Sequence, residues 1–191
     1  MKNFEIFIQE GDVKEQPSDS NLAKSLVDDS TYRIKYAKNS KLIEENAKYI
    51  YENVYESLRE AADSILAIKG FKSFSHEASI SFLQRFKNFS ADEISEFDRM
   101  RKKRNGMKYY GKKCSAAEVK EAAEFAEKLL KKILELYKSL GMKICECGGK
   151  MRIVQLDTDN KNSQAYKCEK CGDVEFSEDQ AKEFLRRQNK S

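Results

Sequence analysis

The chain has little of what interrupts helices and little of what serves proton chemistry. Its 191 residues hold one proline, no tryptophan and a single histidine, His76. Scarce proline, with 36% charged residues, argues against a sheet-rich fold and for long solvated helices. No apolar run approaches the ~20 residues that span a bilayer. The opening residues MKNFEIFI are too short, and too soon broken by charge, for a signal peptide. The expectation is a cytoplasmic protein. Long repeats and low-complexity tracts are also lacking. A formal net charge of +4 excludes a global nucleic-acid footprint, so any such footprint must be local.

What is present is hydrophobic patterning with the helical period. Residues 1–17 read as an extended lead-in closed by Gly11 and Pro17. A first helix follows, capped by Ser18, Asp19 or Ser20, with Leu22, Leu26, Tyr32 or Arg33, and Tyr36 facing inward and Ala23 and Ala37 filling in. A second, over about residues 41–69, carries Ile43, Ala47, Ile50, Val54, Leu58, Ala61, Ile65 and Ile68 on a three-four repeat and stops at Gly70. A short third helix follows Ser75, with Ala78, Ile80, Phe82 and Leu83 as its apolar residues. Ser90 with Glu93, and Ser115 with Glu118, are capping boxes that open the fourth and fifth helices. The fifth bears Val119, Ala122, Ala126, Leu129, Ile133, Leu136 and Leu140 and ends at Gly141, with Lys131, Lys132 and Lys138 toward its negative end. Short connections make neighbouring helices antiparallel, so residues 18–141 are expected to form an up-and-down bundle.

From residue 142 the pattern changes. Cys145 and Cys147 form a C-x-C pair before a strand, and Cys168 and Cys171 a C-x-x-C pair before another. Gly148 and Gly172 follow the pairs and let the turns curl beneath a metal. In a reducing compartment such pairs are metal ligands rather than disulfides. Four thiolates suit a closed tetrahedral Zn²⁺ site, structural rather than catalytic, since no position is left open. Residues 142–191 are therefore expected to be a small β zinc ribbon with a short C-terminal helix bearing Ala181, Phe184 and Leu185. Zinc would supply folding energy that some 50 residues could not draw from a core alone. The fifth cysteine, Cys114, reads as a small buried residue.

One stretch carries chemistry. Residues 99–113 hold eight Lys/Arg and no acid. On a helix, Arg101, Arg104, Asn105 and Lys108 share a face, and Lys102 and Lys103 add charge beside it. Tyr109 and Tyr110 follow; Tyr109 joins that face only if the helix ends or bends, which Gly106 permits. Cations with hydrogen-bonding rings suit a phosphate-containing ligand. The plainer alternative is a solvated basic helix end with two packing tyrosines.

The bundle and this stretch together resemble the HEPN family of small helical domains. The resemblance spans about residues 10–140 and is carried by residues 10–13 (EGDV) with Pro17, 55–62 (YESLREAA), 75–78 (SHEA) and above all 97–105 (FDRMRKKRN). It implies a homodimer with a cleft at the two-fold axis. Many such domains are metal-independent endoribonucleases using an arginine, a polar residue after it and a histidine four to six positions later. Arg104 and Asn105 match the first two positions, and Tyr109 stands where the histidine is expected. An ordinary tyrosine is only about 0.1% ionised at pH 7, so as a base Tyr109 would need a large pKa depression. His76 reads as structural, with rescue across a dimer as its alternative role.

The resemblance thus implies an RNA- or nucleotide-binding protein without efficient ribonuclease turnover. Its alternative is a metal-independent endoribonuclease, of toxin–antitoxin or RNA-processing type, paired with a small nucleotidyltransferase. In that branch of the family a tyrosine near the motif accepts nucleotide groups, which makes Tyr109 and Tyr110 the acceptors by resemblance.

Overall fold

The computed structural model describes residues 1–141, 143–144, 147, 150–158 and 161–176. Cys145 and the helix expected after residue 177 lie outside the described residues. The chain divides into two compact units, Met1–Tyr137 and Lys138–Ser191, a boundary four residues before the one expected from sequence.

The first unit is helical. Residues 1–17 are not simply extended: α1 (Phe4–Gln9) and β1 (Val13–Glu15) form there. Phe4 and Phe7, one turn apart, are buried, and the Phe4 ring lies 4.6 Å from Phe82 and 5.4 Å from Phe71. Burial of this pair holds a helix too short to stand alone. β1 pairs antiparallel with β2 (Phe71–Ser73), tying the lead-in to the far end of the long helix.

Asp19 caps α2 (Ser20–Asn39), accepting the Leu22 amide at 2.8 Å. Its inward face differs from the expected one. Ala23, Ser30, Ile34 and Ala37 are buried, while Leu22, Tyr32 and Tyr36 are exposed. Residues 23, 30 and 37 are spaced by seven, a seam of small side chains against the next helix. That helix, α3 (Ala47–Ile68), starts later than the periodicity predicts. Asn46 accepts the Ile43 amide and donates to the Lys41 carbonyl, so residues 44–46 form a 3₁₀ turn instead. Ion pairing of Arg33 with Glu60, and the Ser18 hydroxyl bond to the Ile68 carbonyl, set α2 and α3 antiparallel.

Buried residues face almost every direction on α3: Ile50, Val54, Leu58, Ala61 and Ile65 lie on the expected stripe, and Tyr51, Tyr55, Ala62, Leu66 and Ala67 elsewhere. It is the central helix, packed by α2, α4 (His76–Leu83) and α5 (Ala91–Tyr110). All four expected apolar residues of α4 are buried. Both capping boxes form, Ser90 with Glu93 and Ser115 with Glu118. α6 (Ala116–Gly141) runs back along α5, with Lys103 paired to Glu118 and Lys132 to Glu93. No helix among the described residues is long and apolar enough to cross a membrane.

The second unit is a four-stranded antiparallel sheet in sequential order: β3 (Lys143–Ile144), β4 (Lys150–Thr158), β5 (Lys161–Cys168) and β6 (Val174–Phe176). Met151 and Cys168, cross-strand partners, are buried together with Tyr166 packed against them.

Candidate functional site

Four helices meet at one polar cleft of about 390 Å³ in the first unit. Arg33 comes from α2, Glu52, Asn53, Glu56 and Arg59 from α3, His76 from the start of α4, and Arg104 from α5. On α3 the spacing 52, 56, 59 places these side chains on one helical face.

Charges alternate across the cleft. Arg33 donates from Nε to both Glu60 oxygens at 2.8 and 2.9 Å and from Nη1 to Asn53 at 3.0 Å. Arg59 donates from Nε to Glu56 and from Nη1 to Asp63, both at 2.5 Å. Arg104 donates from Nη2 to Glu56 at 2.9 Å and lies 3.1 Å from Glu52. The lining itself carries three arginines against two glutamates, a surplus of one positive charge. Arg104 is only 7% exposed, and its Nε, itself buried, has no hydrogen-bond partner among the described residues. A buried unpaired donor costs about 1–3 kcal/mol, more when it is charged, so this guanidinium is under-satisfied where its residue borders the cleft.

Burial and charge shift the groups around the cleft in opposite senses. Burial opposes the Glu56 carboxylate, but the Arg59 hydrogen bond and the charges of Arg59 and Arg104 outweigh it and hold its pKa below the usual value. Burial raises Asp63 to about 6, with Arg59 pulling against it. Burial first, then the charges of Arg59, Arg104 and Arg101, lower His76, so its imidazole is neutral at pH 7.

His76 Nδ1 lies 2.9 Å from the Tyr55 hydroxyl, and the two rings stack at 5.9 Å. Tyr55 is fully buried, and burial pushes its pKa up, so the phenol keeps its proton. With no other acceptor for it among the described residues, that proton goes to Nδ1. The proton of neutral His76 therefore sits on Nε2, and the ring offers the cleft a donor.

The basic stretch is less free than its sequence suggests, because Asp98 just before it on α5 and acids of other helices pair with it. Arg101 is held by Asp98 at 2.7 Å and Glu77 at 3.1 Å, Lys102 by Asp98 at 2.8 Å, and Lys103 by Glu118. Lys108 lies 4.0 Å from Glu52. Asn105 accepts from Arg104 Nη1 at 3.4 Å. α5 runs unbroken through Gly106, so Tyr109 sits about 140° round the helix from Arg104. Tyr109 and Tyr110 are 64% and 78% exposed and do not line the cleft. Gly106 serves a different purpose: the aliphatic chain of Lys112 lies where its side chain would be. Cys114 is buried, and burial raises its thiol pKa.

Sequence reasoning set His76 apart from Arg104 and passed over Arg33, Glu52, Asn53, Glu56 and Arg59. The available signal was the run of charges Glu52, Glu56, Arg59, Glu60 and Asp63 set among Val54, Leu58, Ala61 and Ile65.

In the second unit, the thiol sulfurs of Cys147, Cys168 and Cys171 all lie within 4.8 Å of one another, with Cys147 and Cys168 3.5 Å apart. Ligands of tetrahedral zinc with 2.3 Å bonds stand about 3.8 Å apart. The amides of Lys170 and Cys171 point at Cys168 Sγ from 3.4 and 3.5 Å. The Cys171 amide foremost, against some desolvation, draws the Cys168 thiol down to about 6. A deprotonated sulfur supported by amides is what a thiolate ligand requires. The three cysteines can hold a metal ion, and the expected fourth ligand, Cys145, lies outside the described residues.

No protein-family model matches the chain, and no curated protein matches it.

Proposed function

We propose that the helical unit is a HEPN-like domain that binds RNA or a nucleotide through the Arg104 cleft, as a homodimer. One observation carries this reading. The segments that bear the family resemblance, 55–62, 75–78 and 97–105, supply Tyr55, Glu56, Arg59, His76 and Arg104, which gather at or beside one cleft. Three arginines lining the cleft, and a neutral imidazole offering Nε2–H, are donors suited to phosphate oxygens. Purified protein should retain single-stranded RNA in a salt-sensitive way, and Arg104→Ala should weaken it about tenfold. Undiminished binding by that variant, with its fold intact, would remove the cleft from the account.

A second reading, metal-independent RNA cleavage, is favoured by the placement of His76 beside Arg104 within one protomer. In that chemistry the 2′-hydroxyl oxygen attacks phosphorus and the P–O5′ bond breaks, the departing 5′ oxygen taking a proton from solvent, leaving a 2′,3′-cyclic phosphate and a 5′-hydroxyl. His76 Nε2 would take the 2′ proton, which requires the other tautomer, with Nδ1–H donating to Tyr55 oxygen. The tautomer assigned above favours binding over turnover. Chelator-resistant cleavage lost in both Arg104→Ala and His76→Ala would select the second reading. Tyr109 and Tyr110, exposed at the end of α5, suit nucleotide acceptance from a small nucleotidyltransferase. In the second unit, Zn²⁺ held by Cys145, Cys147, Cys168 and Cys171 would act structurally, fixing the turns of a ribbon whose own core is small.

A further inference from the structure

Away from the cleft, the short β1–β2 ribbon places two lysines directly opposite each other: Lys14 and Lys72 are cross-strand partners. Like charges in that relation destabilise a ribbon, and a sequence selected for stability alone would put an acid at one position. Neither lysine has a carboxylate partner among the described residues. Both reach the same ring instead, each ammonium lying 5.6 Å from the centroid of Phe74. Phe74 follows directly on β2. Phe74 is itself fixed, its amide donating to the Asp12 carbonyl at 2.8 Å, yet its ring is 57% exposed. On the opposite face Val13 is buried and Phe71 packs against Phe4 and Phe82, so the ribbon hides one aromatic ring and leaves Phe74 outside.

We infer that Lys14, Lys72 and Phe74 form a second contact for single-stranded RNA, a base stacking on the Phe74 ring while the two ammonium groups hold flanking phosphates. An anion between the lysines turns the repulsive pair into an attractive one. An exposed ring flanked by cations is also the usual platform for an unpaired base. The patch adjoins the cleft: Phe74 is two residues before His76, so their Cα atoms are at most about 7.6 Å apart. One strand can therefore pass from the patch to the arginines. This inference rests on the RNA-binding reading of the cleft.

The test uses the whole protein and a fluorescent ten-nucleotide single-stranded RNA, with binding followed over a salt series. Phe74→Ala should weaken binding about tenfold. The double variant Lys14→Gln, Lys72→Gln should lower the slope of log K against log salt by about 1.4, the value for two phosphate contacts on a single strand. The same double variant should melt close to the parent, since it loses a repulsion together with two exposed contacts to the Phe74 ring. Unchanged affinity and slope in both variants, with Arg104→Ala still weakened, would overturn the patch and leave the cleft standing. Loss in the patch variants with none in Arg104→Ala would do the reverse. No RNA binding by the parent protein would overturn both. Retention on anionic phosphatidylserine vesicles that the patch variants lose, with RNA binding unchanged, would give the patch to a membrane surface and overturn the inference.

Discussion

Arg104 Nη2 stands 2.9 Å from Glu56 Oε1, with both side chains about nine-tenths buried. The pair is the centre of the cleft and its main electrostatic constraint. Removing one partner of a buried pair leaves an uncompensated charge, so Glu56→Ala should cost about 3 kcal/mol in chemical denaturation. Glu56→Gln should cost less, because the amide can still accept from Arg59 or Arg104. It should also bind single-stranded RNA more tightly than the parent, since a phosphate no longer competes with that carboxylate for Arg104. RNA binding weaker than the parent's in a folded Glu56→Gln protein would contradict this.

His76 is the chain's single imidazole, so its NMR titration can be assigned without ambiguity. Its pKa should lie below 6.5, because burial and the Arg59 charge disfavour the imidazolium. The folded state then binds fewer protons than the unfolded one in this range. The stabilising contribution is complete above the unfolded pKa near 6.5 and is lost as pH falls. Asp63 acts in the opposite sense: raised to about 6, it holds its proton longer when folded, so its contribution is lost as pH rises from about 4 to 6. His76→Gln should therefore flatten the pH dependence of stability just below 6.5 and leave the Asp63 slope in place. An imidazole titrating above 6.5 would refute the assignment.

Between α2 and α3 the core is built from small residues. Ala23 and Ala61 are fully buried, and Leu22 is 41% exposed. Leu22→Ala should change stability by no more than about 0.5 kcal/mol. Ile34→Ala should cost about 2–3 kcal/mol, and Ala61→Leu about 2 kcal/mol through overpacking. Thermal melts of the three variants give the ranking.

The same helix shows where sequence was legible and where it was not. Capping boxes at Ser90 and Ser115, the stripe of α6, and that of α3 from Ala47 to Ile65 follow local rules and form as expected, while Ile43 lies before α3 and is exposed. On α2, Ala23 and Ala37 are buried as expected, but Ser30 and Ile34 escaped, because hydrophobicity points to Leu22 and Tyr36 while close helix approach selects small residues. α1 escaped because six residues carry too little periodicity, and tertiary burial of Phe4 and Phe7 makes the helix. Arg104 was legible as a residue to single out, and it does line the polar cleft. Its setting was not, because Glu52, Glu56, Arg59 and His76 reach it only through folding, and the acids that neutralise residues 99–108 lie mostly in other elements.

For the second unit, metal analysis of protein purified without added zinc should give one zinc per chain. Cys168→Ser and Cys171→Ser should each lose it. Prolonged chelation should then make residues 138–191 sensitive to protease, while the melting of Met1–Tyr137, a separate compact unit, stays unchanged. A metal-free preparation with a protease-resistant second unit would remove zinc from the description.

Two glycines should respond to alanine with opposite signs. Gly70 has φ +76°, and an added Cβ would stand 2.7 Å from the Gln16 carbonyl oxygen. That oxygen belongs to backbone held in place, since the Gln16 amide donates to the Gly70 carbonyl at 2.9 Å. Both the left-handed backbone and the clash oppose a side chain, so Gly70→Ala should cost about 2 kcal/mol and loosen the junction of α3 with β1 and β2. Gly106 lies inside α5, and an added Cβ would meet only Lys112 Cδ, at 3.0 Å. That atom is part of a flexible, exposed side chain that can turn aside. Alanine is the better helix former, so Gly106→Ala should raise stability by up to about 1 kcal/mol. Because α5 already runs straight through this position, Arg104 should keep its place and RNA binding should be unchanged. A Gly106→Ala protein that melts lower, or loses RNA, would mean that α5 must bend here for the cleft to work.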